Sequence, residues 1–228
     1  MSHYLHWNQQ TIQDFSEKNI TAQYNDGYVF TRVGKGHMDQ TRSVRIDLSQ
    51  FELSSENRRI LRKTEELAVH TIALPHQNYH WSIGKLAKDF YENKFGEGTF
   101  SANKIKELLT TEESNFNTLL QYIISNDPLD NDKYHEQNVG YAICYQNKNI
   151  FHYSYPFYNL SPTLYASLGM GMMIRAIQHA TQAGKQYIYL GSAQRPGDTY
   201  KCQFKGLEWF NGKQWQTDLT LLKELLTT

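Results

Sequence analysis

Three groups of residues have types and spacings that could do chemistry. Gly169 and Gly171 stand one residue apart, after Ser167, at the start of a helix-like pattern. Small residues in a first helical turn let a ligand approach the backbone amides. Those amides and the helix dipole favour a phosphate or a polarised carbonyl. The second group follows Leu190-Gly191 and reads Ser192-Ala193-Gln194-Arg195-Pro196-Gly197-Asp198, then Tyr200-Lys201. A polar loop after a buried strand is where α/β proteins usually place reacting groups. Acyl transfer to an amine needs a base and a dipole for the tetrahedral oxyanion. Asp198 is the candidate carboxylate, with Gln194, Arg195, Tyr200 and Lys201 beside it in sequence. An ordinary Pro-Gly-Asp turn is the other reading of the same residues. The third group is Arg58, Arg59, Arg62 and Lys63, with Arg58 and Arg62 on one helical face. It is either a solvated face, partly neutralised by Glu65 and Glu66, or a patch for phosphates.

These groups need positioning elements. A helix is expected from Thr163 to Ala183, with Leu164, Leu168, Met172 and Ile177 at helical spacing and Gly184 as its C-cap. A short buried strand, Tyr187–Leu190, should follow and stop at Gly191. The basic residues fall in a helix read as Ser54 to Val69, opened by Ser54-Ser55-Glu56 and striped by Ile60, Leu61 and Leu67. Upstream, residues 1–27 read as weakly helical, ending in the turn Asn25-Asp26-Gly27. Strands are expected at Tyr28–Val33 and Ser43–Leu48, joined by the flexible link Gly34–His37. In the second strand Val44, Ile46 and Leu48 alternate with Arg45 and Asp47.

Further expected elements are a strand at Val69–Leu74, helices at Trp81–Asn93 and Ala102–Leu109, and a strand at residues 116–124. An exposed turn at Asn126–Tyr134 leads to a β-meander, Val139–Tyr145 and Ile150–Tyr155, then an irregular segment between Pro156 and Pro162. A hairpin across Asn211-Gly212 and a helix at Asp218–Leu226 close the chain. The domain expectation is a smaller N-terminal part, 1–75, carrying the basic helix, and a larger domain, 76–228.

Composition narrows the function classes. Hydrophobic residues make up 39% and aromatic residues 14% of the chain, enough for a core and against disorder. A formal net charge of zero excludes a uniformly basic nucleic-acid coat and leaves room for a local patch. Cys144 and Cys202 are too few for a disulfide scaffold and lack the CxxC spacing of a metal site. Free thiols fit a reducing cytosol. No apolar run approaches the ~20 residues of a membrane span. The segment MSHYLHWNQQ lacks a signal-peptide core. The expectation is a soluble cytoplasmic protein with no metal and no membrane partner.

Ala166–Gly171 can be set against Q/R-x-x-G-x-G/A, the pattern by which GNAT-type acetyltransferases hold the coenzyme A pyrophosphate. Both glycines fit, and Ala166 stands where Gln or Arg is expected. Close helix–sheet packing is the alternative use of the same glycines. A wider resemblance covers roughly residues 24–215. Phe51 to Lys63 resembles the F-x-x-S-x-x-Q-R-R-x-L-R-K segment of the arginyl- and leucyl-tRNA–protein transferases of the N-degron pathway. Tyr165–Gly169 resembles their S-L-G helix start. Tyr189-Leu190-Gly191, then Tyr200-Lys201, Phe204, Leu207 and Glu208, resembles their Y-L-G…Y-K-x-x-F-x-P-L-E. Gly212-Lys213-Gln214-Trp215 echoes their late G-x-W.

The resemblance implies an α/β, GNAT-like acyltransferase fold with a central mixed sheet flanked by helices. It implies transfer of an arginyl-type amino acid from aminoacyl-tRNA to the α-amine of a protein or peptide N-terminus, with no separate cofactor. Arg58, Arg59, Arg62 and Lys63 would meet tRNA phosphates. Ser167, Gly169 and Gly171 would hold the donor, and Gln194, Asp198, Tyr200 and Lys201 would serve the transfer. The chain departs from the family in lacking the N-terminal cysteine cluster of its eukaryotic-type members, so no iron–sulfur or haem site is implied. The Gly191–Tyr200 loop is shorter and lacks the Lys-Met pair, and Gly206 replaces a proline. Two other readings share the fold: an acetyl-coenzyme-A-dependent N-acetyltransferase, and a non-catalytic binder of tRNA or degron peptides.

Overall fold

A computed structural model of the chain describes residues 5–125, 136–161 and 166–227. The chain opens with β1 (Asn8–Thr11), α1 (Glu17–Asn25), β2 (Tyr28–Phe30), β3 (His37–Gln40) and β4 (Ser43–Asp47). It continues with α2 (Ser55–Lys63), β5 (Leu67–Ala73), α3 (Trp81–Phe95), α4 (Ala102–Thr110), β6 (Thr118–Ser125), β7 (Glu136–Gln146) and β8 (Ile150–Tyr158). Helix α5 (Leu168–Gln182) leads to β9 (Tyr187–Ser192) and a 3-10 helix, Pro196–Gln203. β10 (Leu207–Phe210), β11 (Trp215–Gln216) and α6 (Leu219–Thr227) complete it. The expected turn at Asn126–Tyr134, and the expected helix start from Thr163 to Tyr165, lie outside the described residues; Ala166 and Ser167, expected in that helix, form a turn before α5 begins at Leu168.

The class is mixed α/β, a large mixed sheet flanked by helices. A small sheet has the order β1-β3-β2, and the large one β11-β10-β4-β9-β8-β7-β6-β5. β8 and β9 are parallel, with Phe151 opposite Ile188 and His152 opposite Tyr189, and α5 makes the crossover. β4 pairs antiparallel with both β9 and β10. The chain divides into two compact units. One comprises Met1–Ser54, Gln146–Ser154 and Ala180–Thr228, and the other Ser55–Tyr145 and Tyr155–His179. The first is cored by residues such as Tyr24, Phe30, Ile46, Phe151 and Tyr189, the second by Phe100, Leu119, Tyr122 and Phe157. Burying each such side chain is worth roughly 1.5–3 kcal/mol, so aromatic residues carry much of both cores.

Local chemistry sets the element ends. Ser16 Oγ accepts the Asn19 amide at 3.3 Å, capping α1, and Ser101 Oγ does the same for α4 through Lys104. Asp218 Oδ1 takes the Thr220 and Leu221 amides at the start of α6. α5 ends as expected at Gly184, whose φ is +67°. The amide of Lys185 returns to Ala180 O at 3.0 Å. Among the described residues no helix is long and apolar enough to cross a membrane.

Several expectations need correction. Helix α2 stops at Lys63 and does not run to Val69. Buried Thr64 bonds Ile60 O through Oγ1 at 3.0 Å, and its own carbonyl takes the Leu67 amide, so the chain turns. Leu67, expected on the helical stripe, instead pairs with Ile124 in the β5–β6 ladder. The stretch before Gly27 is strand as well as helix, because β1 pairs with β3 from Asn8 opposite Gln40. The link after Gly34 leads directly into β3. Strand β8 continues through Pro156 to Tyr158. Arg45 does not alternate outward: Ser43, Val44, Arg45 and Ile46 are all buried.

Candidate active site

The polar run after β9 is not an open loop but the 3-10 helix Pro196–Gln203. Proline at its first position supplies a preset φ and gives up an amide that has no helical partner there. Asp198 ties the turn together. Its Oδ2 accepts the amides of Gln194 at 2.9 Å and Arg195 at 3.0 Å. Its Oδ1 lies 3.8 Å from Lys201 Nζ. Lys201 is buried, with only 6% of its surface exposed, and its ammonium donates to Ser192 O at 2.6 Å. Burial holds that ammonium below its usual pKa, against the pull of Asp198.

Gln194 is equally occupied. Its Oε1 accepts the Leu5 amide at 2.6 Å, and its Nε2 donates to Leu5 O at 2.8 Å and to Thr41 Oγ1 at 2.6 Å. Tyr200 differs from its neighbours in presenting 42% of its surface to solvent. Lys201 Nζ lies 5.8 Å from the centre of its ring. The four expected residues therefore do gather. Gln194, Asp198 and Lys201 build the turn from inside, and Tyr200 faces outward.

Two buried groups of this unit escaped the sequence reading. His152 Nδ1 lies 2.9 Å from the Tyr24 hydroxyl, which also accepts the Phe30 amide. Burial, helped by the nearby Lys201 charge, pushes the imidazole pKa down to about 3. Arg45 is the second. Its Nε donates to Glu208 Oε2 at 2.7 Å, and its Nη1 reaches Asn25 Oδ1 and Tyr189 Oη. The guanidinium lies 3.9 Å from the centres of both the Tyr187 and Trp215 rings. The signals existed: a histidine inside the aromatic run Phe151–Tyr155, and an arginine between Val44 and Ile46. An open cavity of about 520 Å³ beside Trp215, lined by Asn25, Asp26, Tyr28, Gln40 and Phe210, includes none of the expected site residues.

In the other unit, the glycine helix and the basic helix meet. A side chain at Gly171 would stand 2.8 Å from Thr64 Oγ1, just past the end of α2. Arg175 of α5 donates from Nη2 to Thr64 O at 2.6 Å and to Glu65 O at 3.2 Å, satisfying carbonyls at that helix end. A side chain at Gly169 would come within 2.8 Å of the Tyr158 ring. Packing thus accounts for both glycines. Ser167 O accepts the Gly171 amide at 2.8 Å at the start of α5. Arg58, Arg62 and Lys63 are exposed on α2, while Arg59 pairs with Glu56 through Nε at 2.6 Å. Gly169→Ala and Gly171→Ala should each lower stability by about 1–3 kcal/mol in urea unfolding. Unchanged midpoints would mean that Tyr158 and Thr64 shift at little cost.

Among the described residues no group of histidine, cysteine or acidic side chains could hold a metal ion, and both cysteines are buried free thiols. No protein-family model matches the sequence, and no curated protein matches it. Solved structures similar to this chain include L-PGS from Bacillus licheniformis, at 13% identity and a TM-score of 0.48 over 93% of this chain and 71% of that one. They include the C-terminal domain of a protein from Agrobacterium fabrum assigned as a lysylphosphatidylglycerol synthetase, at 14% identity and 0.45, over 82% and 55%. FemX matches at 10% identity and 0.46, over 77% and 60%.

Proposed function

We propose that the chain is a GNAT-like acyltransferase that moves an arginyl-type amino acid from aminoacyl-tRNA to the α-amine of a protein N-terminus. In that reaction the amine nitrogen attacks the ester carbonyl. A C–N bond forms, the C–O bond to the tRNA ribose breaks, and the amine proton ends on the ribose oxygen. One observation carries the reading. Residues just past two segments of the ordered motif set, more than a hundred positions apart, pack on each other: Gly171 and Arg175 both meet Thr64. The basic end of α2 therefore lies against the first turns of the glycine helix. A polyanion held by Arg58, Arg62 and Lys63 would run toward the Ser167–Gly171 turn. In the other unit, Asp198 and Lys201 hold the turn, and the exposure of Tyr200 supports a role for it in meeting substrate.

The decisive assay incubates the protein with a panel of charged tRNAs and peptides bearing different N-terminal residues, with coenzyme A thioesters as a parallel arm. Arginyl-type labelling of a peptide α-amine is the expected result. No labelling from any charged tRNA overturns the reading, and labelling from acetyl-coenzyme A replaces it with an N-acetyltransferase. The double variant Arg58→Ala/Arg62→Ala should weaken tRNA binding and flatten its salt dependence. Each lost phosphate contact removes about 0.7–0.9 from the slope of log K against log salt. Because both side chains are exposed, the melting temperature should stay within a degree or two. An unchanged salt slope would take tRNA off this helix.

A further inference from the structure

The amide of Gln194 grips one residue of main chain. It gives and takes a hydrogen bond at the N–H and C=O of Leu5, at 2.6 and 2.8 Å, across 189 positions of sequence. Thr41 Oγ1 closes the arrangement, donating to Leu5 O at 2.7 Å and accepting from Gln194 Nε2 at 2.6 Å. Beyond Leu5 the segment bends at Trp7 and enters β1 at Asn8. The Trp7 amide donates to Gln40 O at 2.8 Å, and β1 then pairs with β3. The Trp7 ring packs edge-on against Phe210, 6.1 Å between centroids. Leu5 is thus read through its backbone alone, by the side chains of Gln194 and Thr41.

The placement matters as much as the contact. Gln194 lies just past the carboxyl end of β9, beside a parallel strand, where open α/β sheets bind ligands. Its own backbone amide is fixed by Asp198. Arg42, next to Thr41, carries a buried Nε with no hydrogen-bond partner among the described residues, a donor left over at the same end of β4. A side-chain amide held from behind and aimed at both the N–H and the C=O of one residue is a built receptor for main chain.

We propose that Gln194 and Thr41 form a backbone-reading subsite for an extended peptide, and that the chain's own segment around Leu5 occupies it as an internal competitor. If the protein modifies peptide N-termini, as proposed above, this subsite takes the first residues of the acceptor. The inference rests on that reading for its purpose but not for its test, which is binding without tRNA.

The probe is a fluorescent peptide of residues 1–10, titrated by anisotropy against the full chain and against a variant lacking residues 1–6. The shortened chain should bind at least about tenfold more tightly. Gln194→Ala in the shortened chain should abolish that gain. N-methylation of the Leu5 amide in the peptide should weaken binding about tenfold, since it removes the hydrogen bond without altering the side chain. If the shortened chain does not fold, Leu5→Pro in the full chain serves, because proline has no amide proton to give Gln194. Equal binding by open and full chains, or binding indifferent to N-methylation, overturns the proposal and leaves Gln194 as a structural staple. Transfer in the aminoacyl-tRNA assay stands or falls separately.

Discussion

Replacing Glu208 by alanine is expected to destabilise the protein by about 3 kcal/mol, the low end for removing one partner of a buried ion pair. The Arg45 side chain is only 8% exposed, against 21% for Glu208. It sits between the Tyr187 and Trp215 rings, so it cannot reach solvent without breaking both stacks. With Glu208 gone, its remaining acceptors are Asn25 Oδ1 and the Tyr189 hydroxyl. Burial pushes the Tyr189 pKa up to about 12 despite the adjacent Arg45 charge, so the phenol stays neutral and supplies no anion. An unneutralised guanidinium in a site this dry is what makes the loss large. For a chain of this length, 3 kcal/mol corresponds to a fall in Tm of roughly 6–12 °C. Glu208→Gln keeps an acceptor and should lose only about half as much. Arg45→Leu/Glu208→Leu removes both charges and should recover part of the loss. Urea unfolding at pH 7 reads all three. A Glu208→Ala midpoint equal to the parent's would show that the carboxylate contributes nothing to the fold.

That pair shows how far the sequence could be read. Glu208 was legible as part of an ordered motif but not as to purpose. Its partner stands 163 positions earlier, and a one-dimensional pattern does not encode β4 pairing with β10. The alternation of Val44 and Ile46 with Arg45 and Asp47 reads as a strand with one wet face. The aromatic sandwich overrides it, because a stacked and paired arginine can be buried. The order strand, helix, strand from β8 through α5 to β9, and the last hairpin and helix, were legible, since periodicity and turn residues are local signals, whereas the α/β class came from the family resemblance. The stop of α2 at Lys63 was not. Glu65, Glu66 and Leu67 have good helix propensity, and the strand pairing of Leu67 with Ile124 outweighs it.

The candidate site was legible as a gathering but not as a division of labour. Gln194, Asp198 and Lys201 carry reactive side-chain types, and the fold turns those side chains inward on the backbone. Short polar residues around Pro-Gly are where the chain most needs side-chain oxygens to satisfy its own amides. Close packing, a different demand, explains Gly169 and Gly171, whose missing side chains make room for Tyr158 and Thr64.

Acidification should reveal His152 more strongly than any surface group. The imidazole pKa is about 3 in the fold against about 6.5 in an open chain, because charging it would place a cation in a dry core beside Lys201. Between those values the unfolded chain binds a proton that the folded chain refuses. Stability is therefore complete above pH 6.5 and falls as pH drops through the window, by up to about 1.4 kcal/mol per pH unit. At pH 4.5 this one residue should have cost about 2–3 kcal/mol relative to pH 7. The geometry fits the neutral ring. The Tyr24 hydroxyl accepts the Phe30 amide, so its own proton is available to His152 Nδ1. His152→Gln keeps an acceptor for Tyr24 and removes the titration, so it should be less stable than the parent at pH 7 yet lose less on going to pH 4.5. Lys201→Met should act in the same direction by removing the charge that opposes protonation, lifting the imidazole pKa and shallowing the slope. The measurement is urea unfolding at pH 7, 5.5 and 4.5 for the three proteins. Parallel slopes for parent and His152→Gln would mean that water reaches the ring and that the buried Tyr24–His152 pair is not what makes the fold acid-sensitive.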